Sequence, residues 1–221
     1  MTRFVYISQL RELRDDVVAM ASMVDKAISR SVQALRQQDV NLAREVIAAD
    51  HAINDHRWRT EERALLVIAT QAPMASDLRV IAAVISIVTD LERMADHAAG
   101  IAKIVIETSN EPLLKPLVDI PRMADLARQM LADGISAFIE GDEASAREVV
   151  KKDDEVDSLY DQIFRELLTY MMADTSTINR ATRLLWAAHN VERIADRTTN
   201  ICERVIFAVT GNLAEIAVTT D

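Results

Sequence analysis

From Leu10 onward, apolar side chains recur at Leu13, Val17, Met20, Val24, Ile28 and Leu35, the stripe of a helix buried along one side. The polar run Gln37-Gln38-Asp39 interrupts the stripe, and Asp39 is suited to cap a second helix running to about Thr70. Pro73 stops that helix. Ser76 is expected to cap a third, whose buried seam is Leu91, Met94, Ala98, Ile101 and Val105. Segment 108–121 holds Pro112, Pro116 and Pro121 and reads as a linker. Beyond it comes a fourth helix from about Arg122 to Glu140, with Gly141-Asp142 as turn and cap. A fifth helix runs to about Ala173. Asp174-Thr175-Ser176 then caps a sixth, which ends near Gly211.

The second half repeats the first. Glu92-Arg93-Met94-Ala95-Asp96 returns as Glu192-Arg193-Ile194-Ala195-Asp196, and the identity continues at Ile101/Ile201, Val105/Val205 and Ile106/Ile206. Arg44-Glu45-Val46 matches Arg147-Glu148-Val149, and Ile53-Asn54 matches Val156-Asp157. Helices two and five are thus offset by 103 residues, and helices three and six by 100. Such self-similarity is settled before any other fold assignment. The chain is expected to be all-α, two tandem three-helix bundles made of six long antiparallel helices. The expected units span residues 1–111 and 112–221.

Composition narrows the class. Half of the 221 residues are apolar, only 4% are aromatic, and there are four Gly and four Pro. Few turn-forming residues favour long helices over many short strands. A net charge of −10 argues against direct binding to nucleic acid or to an anionic membrane surface. The longest apolar run, Val80 to Val88, is far short of the ~20 residues that span a bilayer. The first residues, with Arg3, Arg11, Arg14 and Asp15, do not resemble a signal peptide. Cys202 is the single cysteine and reads as a small core residue in a reducing compartment. A cytoplasmic protein is expected, with any membrane address supplied by a protein partner.

The duplicated motif also carries chemistry. Glu92 and Asp96 are spaced i, i+4, as are Glu192 and Asp196, and like charges so placed cost about 0.2–0.5 kcal/mol per pair. Their helical neighbours supply no cation, and Arg93 is expected to point elsewhere. Asp50 with Asn54 borders the apolar stripe of helix two, and Asp153 with Asp157 does the same on helix five, Asp161 extending the row. If helix two packs on helix three, each unit gathers up to four oxygen-bearing side chains. Oxygen-only sets suit Mg²⁺, Ca²⁺, Mn²⁺ or iron. The competing reading is a solvated acidic face, or a salt bridge to Arg57, Arg79 or Arg183. His97 and His189 flank the motifs as further ligand candidates or plain seam residues. Trp58 and Trp186 read as half-buried packing residues or as part of a partner surface.

No catalytic apparatus is visible. No Glu stands three residues before any of His51, His56, His97 or His189, so the Glu-x-x-His pairs of ferritin-like di-iron oxidases are missing. There is no Gly-rich phosphate loop, nucleophile elbow or Cys/His zinc pattern. An enzyme is not expected.

Pro73-x3-Asp77-Leu78-Arg79, then Leu91-Glu92-Arg93-Met94-Ala95-Asp96, then Val191-Glu192-Arg193-Ile194-Ala195-Asp196-x3-Asn200-Ile201-x-Glu203, resemble the PhoU family of bacterial phosphate-uptake regulators. The resemblance covers about residues 8–211. It implies a cytosolic adaptor, peripheral to the inner membrane, that negatively regulates high-affinity phosphate uptake and phosphate-starvation signalling. The implied partners are the ATPase subunit of the phosphate ABC transporter and the phosphate-sensing histidine kinase, and a homodimer is expected. Alternatives are an accessory protein of a low-affinity phosphate permease and a carboxylate-ligated metal-binding helical protein. The resemblance also implies divalent, iron or zinc ions at the E(D)-x-x-x-D pairs. The residues so implied are Glu92, Asp96, Asp50 and Asn54 in the first unit and Glu192, Asp196, Asp153 and Asp157 in the second. Asn54 departs from the acidic pattern and is expected to weaken the first site. Arg197, in the position of His97, is expected to lower metal affinity at the second.

Overall fold

A computed structural model describes residues 3–212, and the outer ends of the two expected units, residues 1–2 and 213–221, lie outside the described residues. Helix α1 runs Arg3–Gln37, α2 Val40–Gln71 and α3 Ala75–Thr108. After the linker come α4 Asp119–Glu140, α5 Glu143–Lys151, α6 Asp153–Ala173 and α7 Ile178–Thr210, with a short 3₁₀ turn Thr175–Thr177 before α7. Asp39 caps α2 as its sequence predicts, accepting from the backbone N–H groups of Asn41 and Leu42 at 2.9 and 3.0 Å. Gly211 closes α7 at φ 80°, a left-handed position that glycine occupies without strain.

Three expectations about the elements and their ends need correction. Ser76 does not cap α3. The cap position is Met74, which makes no side-chain capping bond, and Asp77 in the first turn complements the helix dipole instead. The linker is shorter than 108–121, because Pro121 lies inside the first turn of α4, where its missing N–H is harmless. The fifth expected helix is broken at Lys152 into α5 and α6. There Lys152 N–H bonds Val149 O and Glu155 N–H bonds Lys152 O, both of the tighter i→i−3 type. The break places Asp153 in the first turn of α6.

Helices α1, α2 and α3 pack on one another, as do α4, α5/α6 and α7. The two bundles meet where α3 packs against α7, the most extensive helix pairing among the described residues, with α1 against α4 beside it. The partners are antiparallel: Arg79 Nε reaches Ala208 O at 3.4 Å, Asp90 Oδ1 lies 3.5 Å from Arg197 Nη1, and His97 Nδ1 lies 3.0 Å from Asn190 Oδ1. Under the 100-residue offset Asp90 corresponds to Asn190 and His97 to Arg197. The two polar pairs are therefore images of each other about a pseudo-two-fold axis.

Close approach needs small residues. A Cβ on Gly100 would come within 2.9 Å of Asn190 Oδ1, and one on Gly134 within 3.2 Å of Cys202 Sγ. Cys202 itself is fully buried, and burial pushes its thiol up to about 12, so it behaves as a core residue. Leu91, Met94, Ala98, Ile101 and Val105, the predicted seam of α3, are all buried. The tryptophans are not half-buried: Trp58 is 60% and Trp186 58% exposed. Among the described residues no helix is long and apolar enough to cross a membrane.

The contrast between seam and surface is measurable. Leu91→Ala is expected to lower unfolding stability by about 2–5 kcal/mol through loss of buried area and a residual cavity. Trp58→Ala is expected to change it by no more than about 1 kcal/mol. Urea denaturation followed by circular dichroism tests both, and a large loss on Trp58→Ala would refute its surface placement.

Candidate functional site

The antiparallel packing within each unit brings the α2-type carboxylates to the α3-type carboxylates. In the first unit Asp50 and Asn54 come from α2, Glu92 and Asp96 from α3. Asn54 Nδ2 donates to Asp50 Oδ2 at 3.1 Å. Burial raises the Asp50 carboxyl above its ordinary value, and the Asp96 charge raises it further. Glu92 is only 8% exposed and is raised in the same way, by burial and then by Asp96. The four predicted residues of this unit are thus gathered.

The second unit gathers its four more tightly in charge. Asp153 and Asp157 come from α6, Glu192 and Asp196 from α7. Asp153, 8% exposed, is pushed up to about 7 by burial, then by Asp157, Asp196 and Glu192. Glu192 rises to about 7 by burial and then by Asp196, and Asp157 rises by burial and then by Asp196. The N-terminal position of Asp153 in α6 favours its ionised form, yet burial among like charges wins. Asp157 lies at the exposed rim, so the set opens to solvent.

Asp50 Oδ1 and Glu92 Oε2 in the first unit, and Asp153 Oδ1 and Glu192 Oε2 in the second, are buried without a hydrogen-bond partner. Four corresponding oxygens, one from each helix of each set, share this state. Buried polar atoms in proteins are otherwise almost always paired. An oxygen-only donor set with unsatisfied buried lone pairs fits a hard or borderline cation. Among the described residues no three His, Cys, Asp or Glu side chains are gathered closely enough to hold an ion as they stand. A cation would therefore draw the oxygens inward.

Several flanking residues differ from expectation. Arg93 does not point away: its Nε lies 3.7 Å from Glu92 Oε2 and its Nη1 3.7 Å from Asp96 Oδ2. Arg193 likewise folds onto Asp196. Arg197 is not turned toward the second acidic set but across the interface to Asp90, so it does not compensate those carboxylates. His97 is likewise taken up by Asn190. His189 does reach its motif, with Nδ1 3.2 Å from Glu192 Oε2, a contact that does not have hydrogen-bond geometry and leaves that oxygen unsatisfied. Of the three arginines considered for an interhelical salt bridge, Arg57 makes one to Glu92 at 3.4 Å, whereas Arg79 goes to Ala208 O and Arg183 to Glu107.

Sequence reasoning missed that the two sets sit among different charges. Asp50 is flanked by His51 and Lys103, and Glu92 by Arg57. At the offsets of 103 and 100, those three positions hold Asp154, Glu203 and Tyr160. Tyr160 pairs with His189, their ring centroids 6.1 Å apart. Aligning the two halves at both offsets would have exposed this inversion of charge.

Comparison with known proteins gives a consistent answer. The PhoU domain family matches residues 17–105 and again 120–205. The chain is 40% identical over 217 residues to the phosphate-specific transport system accessory protein PhoU homolog of Clostridium acetobutylicum, covering 98% of this chain and 99% of that one. It is 41% identical over 207 residues to the Aquifex aeolicus homolog of the same name, covering 94% of each. The crystal structure of PhoU from Pseudomonas aeruginosa superposes with a TM-score of 0.89 at 33% identity, over 94% of this chain and all of that one. The phosphate transport system regulatory protein PhoU from Streptococcus pneumoniae gives 0.89 at 32%, over 96% of this chain and all of that one.

The second acidic set predicts an unusual pH dependence. In the unfolded chain Asp153 and Glu192 titrate near the ordinary carboxylate range of about 4, and in the folded chain near 7. Between those values the folded state holds more protons, so stability falls as pH rises through the window. The melting temperature of chelator-treated protein is expected to rise when pH is lowered from about 8 to about 5.5. Asp153→Asn is expected to raise it at pH 8 by about 2–4 °C and to flatten the dependence. Thermal melts followed by circular dichroism decide this; a flat profile in the parent chain would mean that the carboxylates have partners.

Proposed function

The chain belongs to the PhoU family, and from that membership we propose that it is an accessory protein of a phosphate-specific transport system, an adaptor and not an enzyme. It restrains high-affinity phosphate uptake and phosphate-starvation signalling by contacting the transporter's ATPase subunit and the phosphate-sensing histidine kinase. The observation that carries this reading is the likeness, over nearly the whole of each chain, to relatives that bear that accessory-protein name. The surface supports it. Trp58, Leu65 and Leu66 are exposed on one side of α2, and Phe164, Leu168 and Met172 are exposed at helical spacing on α6. Apolar side chains left in contact with water on a −10 protein suit protein partners, among them a second copy of the chain, better than nucleic acid. Its place is the cytoplasmic face of the inner membrane, reached through those partners.

The reading includes a cation. Asp153, Asp157, Glu192 and Asp196 would hold it in the second unit, and Asp50, Asn54, Glu92 and Asp96 in the first. Held there, a divalent ion would supply the positive charge that offsets the repelling carboxylates, and the side chains of α6 and α7, or of α2 and α3, would close on it. The residues themselves supply the buried oxygens and keep bulk water to one exposed rim.

Deleting the gene is expected to raise phosphate uptake and phosphate-starvation gene expression in phosphate-rich medium. Unchanged uptake and expression would sink the adaptor reading. An affinity pull-down from detergent-solubilised membranes of phosphate-replete cells is expected to recover the transporter ATPase or the sensor kinase. Recovery of a single-component permease instead would assign the chain to that transporter.

A further inference from the structure

The two acidic sets descend from one repeated unit, and each has its motif arginine at hand, Arg93 or Arg193. Only the first receives a second arginine, Arg57, from the neighbouring helix. Arg57 is held on three sides: its Nε lies 2.8 Å from Glu61 Oε1, its Nη1 3.4 Å from Glu92 Oε1, and its Cζ 4.8 Å from the centre of the Trp58 ring. Glu61 is fixed in turn by Thr89 Oγ1, which donates to Oε1 at 3.2 Å. Only 18% of the Arg57 side chain and 10% of the Glu92 side chain meet solvent. A planar guanidinium in this position is already partly desolvated and oriented. The corresponding residues of the second unit are Tyr160, Phe164, Asp161 and His189 in place of Arg57, Glu61, Trp58 and Thr89. The polar clamp is replaced there by an aromatic contact.

The surroundings diverge in the same direction. Around Asp50 stand His51 and Lys103, whose counterparts are Asp154 and Glu203, and Asn54 is neutral where Asp157 is charged. Asp153, more than nine-tenths buried, keeps one oxygen without any partner and faces Asp157, Glu192 and Asp196. Removing a buried carboxylate from water is costly unless a cation compensates it.

We propose that Arg57 is a built-in counter-cation that closes the first acidic set to metal, so that a divalent ion binds in the second unit alone, at Asp153, Asp157, Glu192 and Asp196. This rests on the cation-binding reading of the acidic sets. The consequence is functional asymmetry between near-identical halves. One unit is permanently locked by its own arginine, while the packing of α6 on α7 responds to the ion.

The test is Mn²⁺ binding to the chelator-stripped full chain, by equilibrium dialysis with elemental analysis, at one pH and with circular dichroism confirming the fold of every variant. In the parent chain, Glu192→Gln or Asp153→Asn is expected to weaken Mn²⁺ binding at least tenfold, and Glu92→Gln or Asp50→Asn to leave it unchanged. Arg57→Ala, or Arg57→Tyr to match the second unit, is expected to add further Mn²⁺ that Glu92→Gln then removes. Arg57→Lys, which keeps the charge, is expected to add none. Equal Mn²⁺ in both units of the parent chain, or no added ion in Arg57→Ala and Arg57→Tyr, overturns the role of Arg57 and leaves the cation reading standing. No Mn²⁺ in the parent or any variant overturns both.

Discussion

The antiparallel packing of α3 on α7 is the contact around which the rest of the molecule is arranged. Each of these helices is the third member of its own bundle and also the seam between bundles, so each must bury apolar residues on two sides. That demand explains their buried small side chains, among them Ala95, Ala98, Ala99 and Ala102 on α3 and Ala181, Ala187, Ala188 and Ala195 on α7. Small residues let the backbones approach until Gly100 meets Asn190 and Gly134 meets Cys202. Dispersion and burial then act over two faces at once.

The same packing places the polar residues. Asp90 with Arg197 and His97 with Asn190 occupy symmetry-related positions, one pair charged and the other built around a neutral amide. Because Arg197 is spent on Asp90, it is not available to the carboxylates of its own motif. The interface between the units thus withholds one arginine from the second acidic set, which keeps Arg193. Arg57 is shared between Glu61 on its own helix and Glu92 across the helix pair, so it stays within the first unit. The halves share a backbone plan but differ in electrostatics, and the difference arises from a few side chains at matched positions.

Helical periodicity, the stop at Pro73, the cap at Asp39 and the terminal Gly211 were legible because each is a local signal read over one or two turns. The duplicated motif supplied the architecture, since two copies of a unit with short connections have few ways to pack. The misreadings were equally local. Ser76 looked like a cap because its hydroxyl could serve, but the chain enters the helix a residue before it, at Ala75. Pro121 looked like part of the linker because proline breaks helix interiors, while a first turn tolerates it. The break at Lys152 left no mark in composition, since neither glycine nor proline stands there.

The carboxylates divide in the same way. Spacing alone put Glu92 with Asp96 and Glu192 with Asp196 on shared helix faces, and repeat alignment supplied Asp50, Asn54, Asp153 and Asp157 as their neighbours. Where the arginines go is another matter. A guanidinium on a long, flexible stem can reach partners on several helices, so Arg57, Arg93 and Arg197 could not be assigned from position in the chain. Helical geometry is encoded within a few residues and is therefore written in the sequence. Charge compensation depends on which oxygens come within a few ångströms across helices far apart in the chain, and only the tertiary structure decides that.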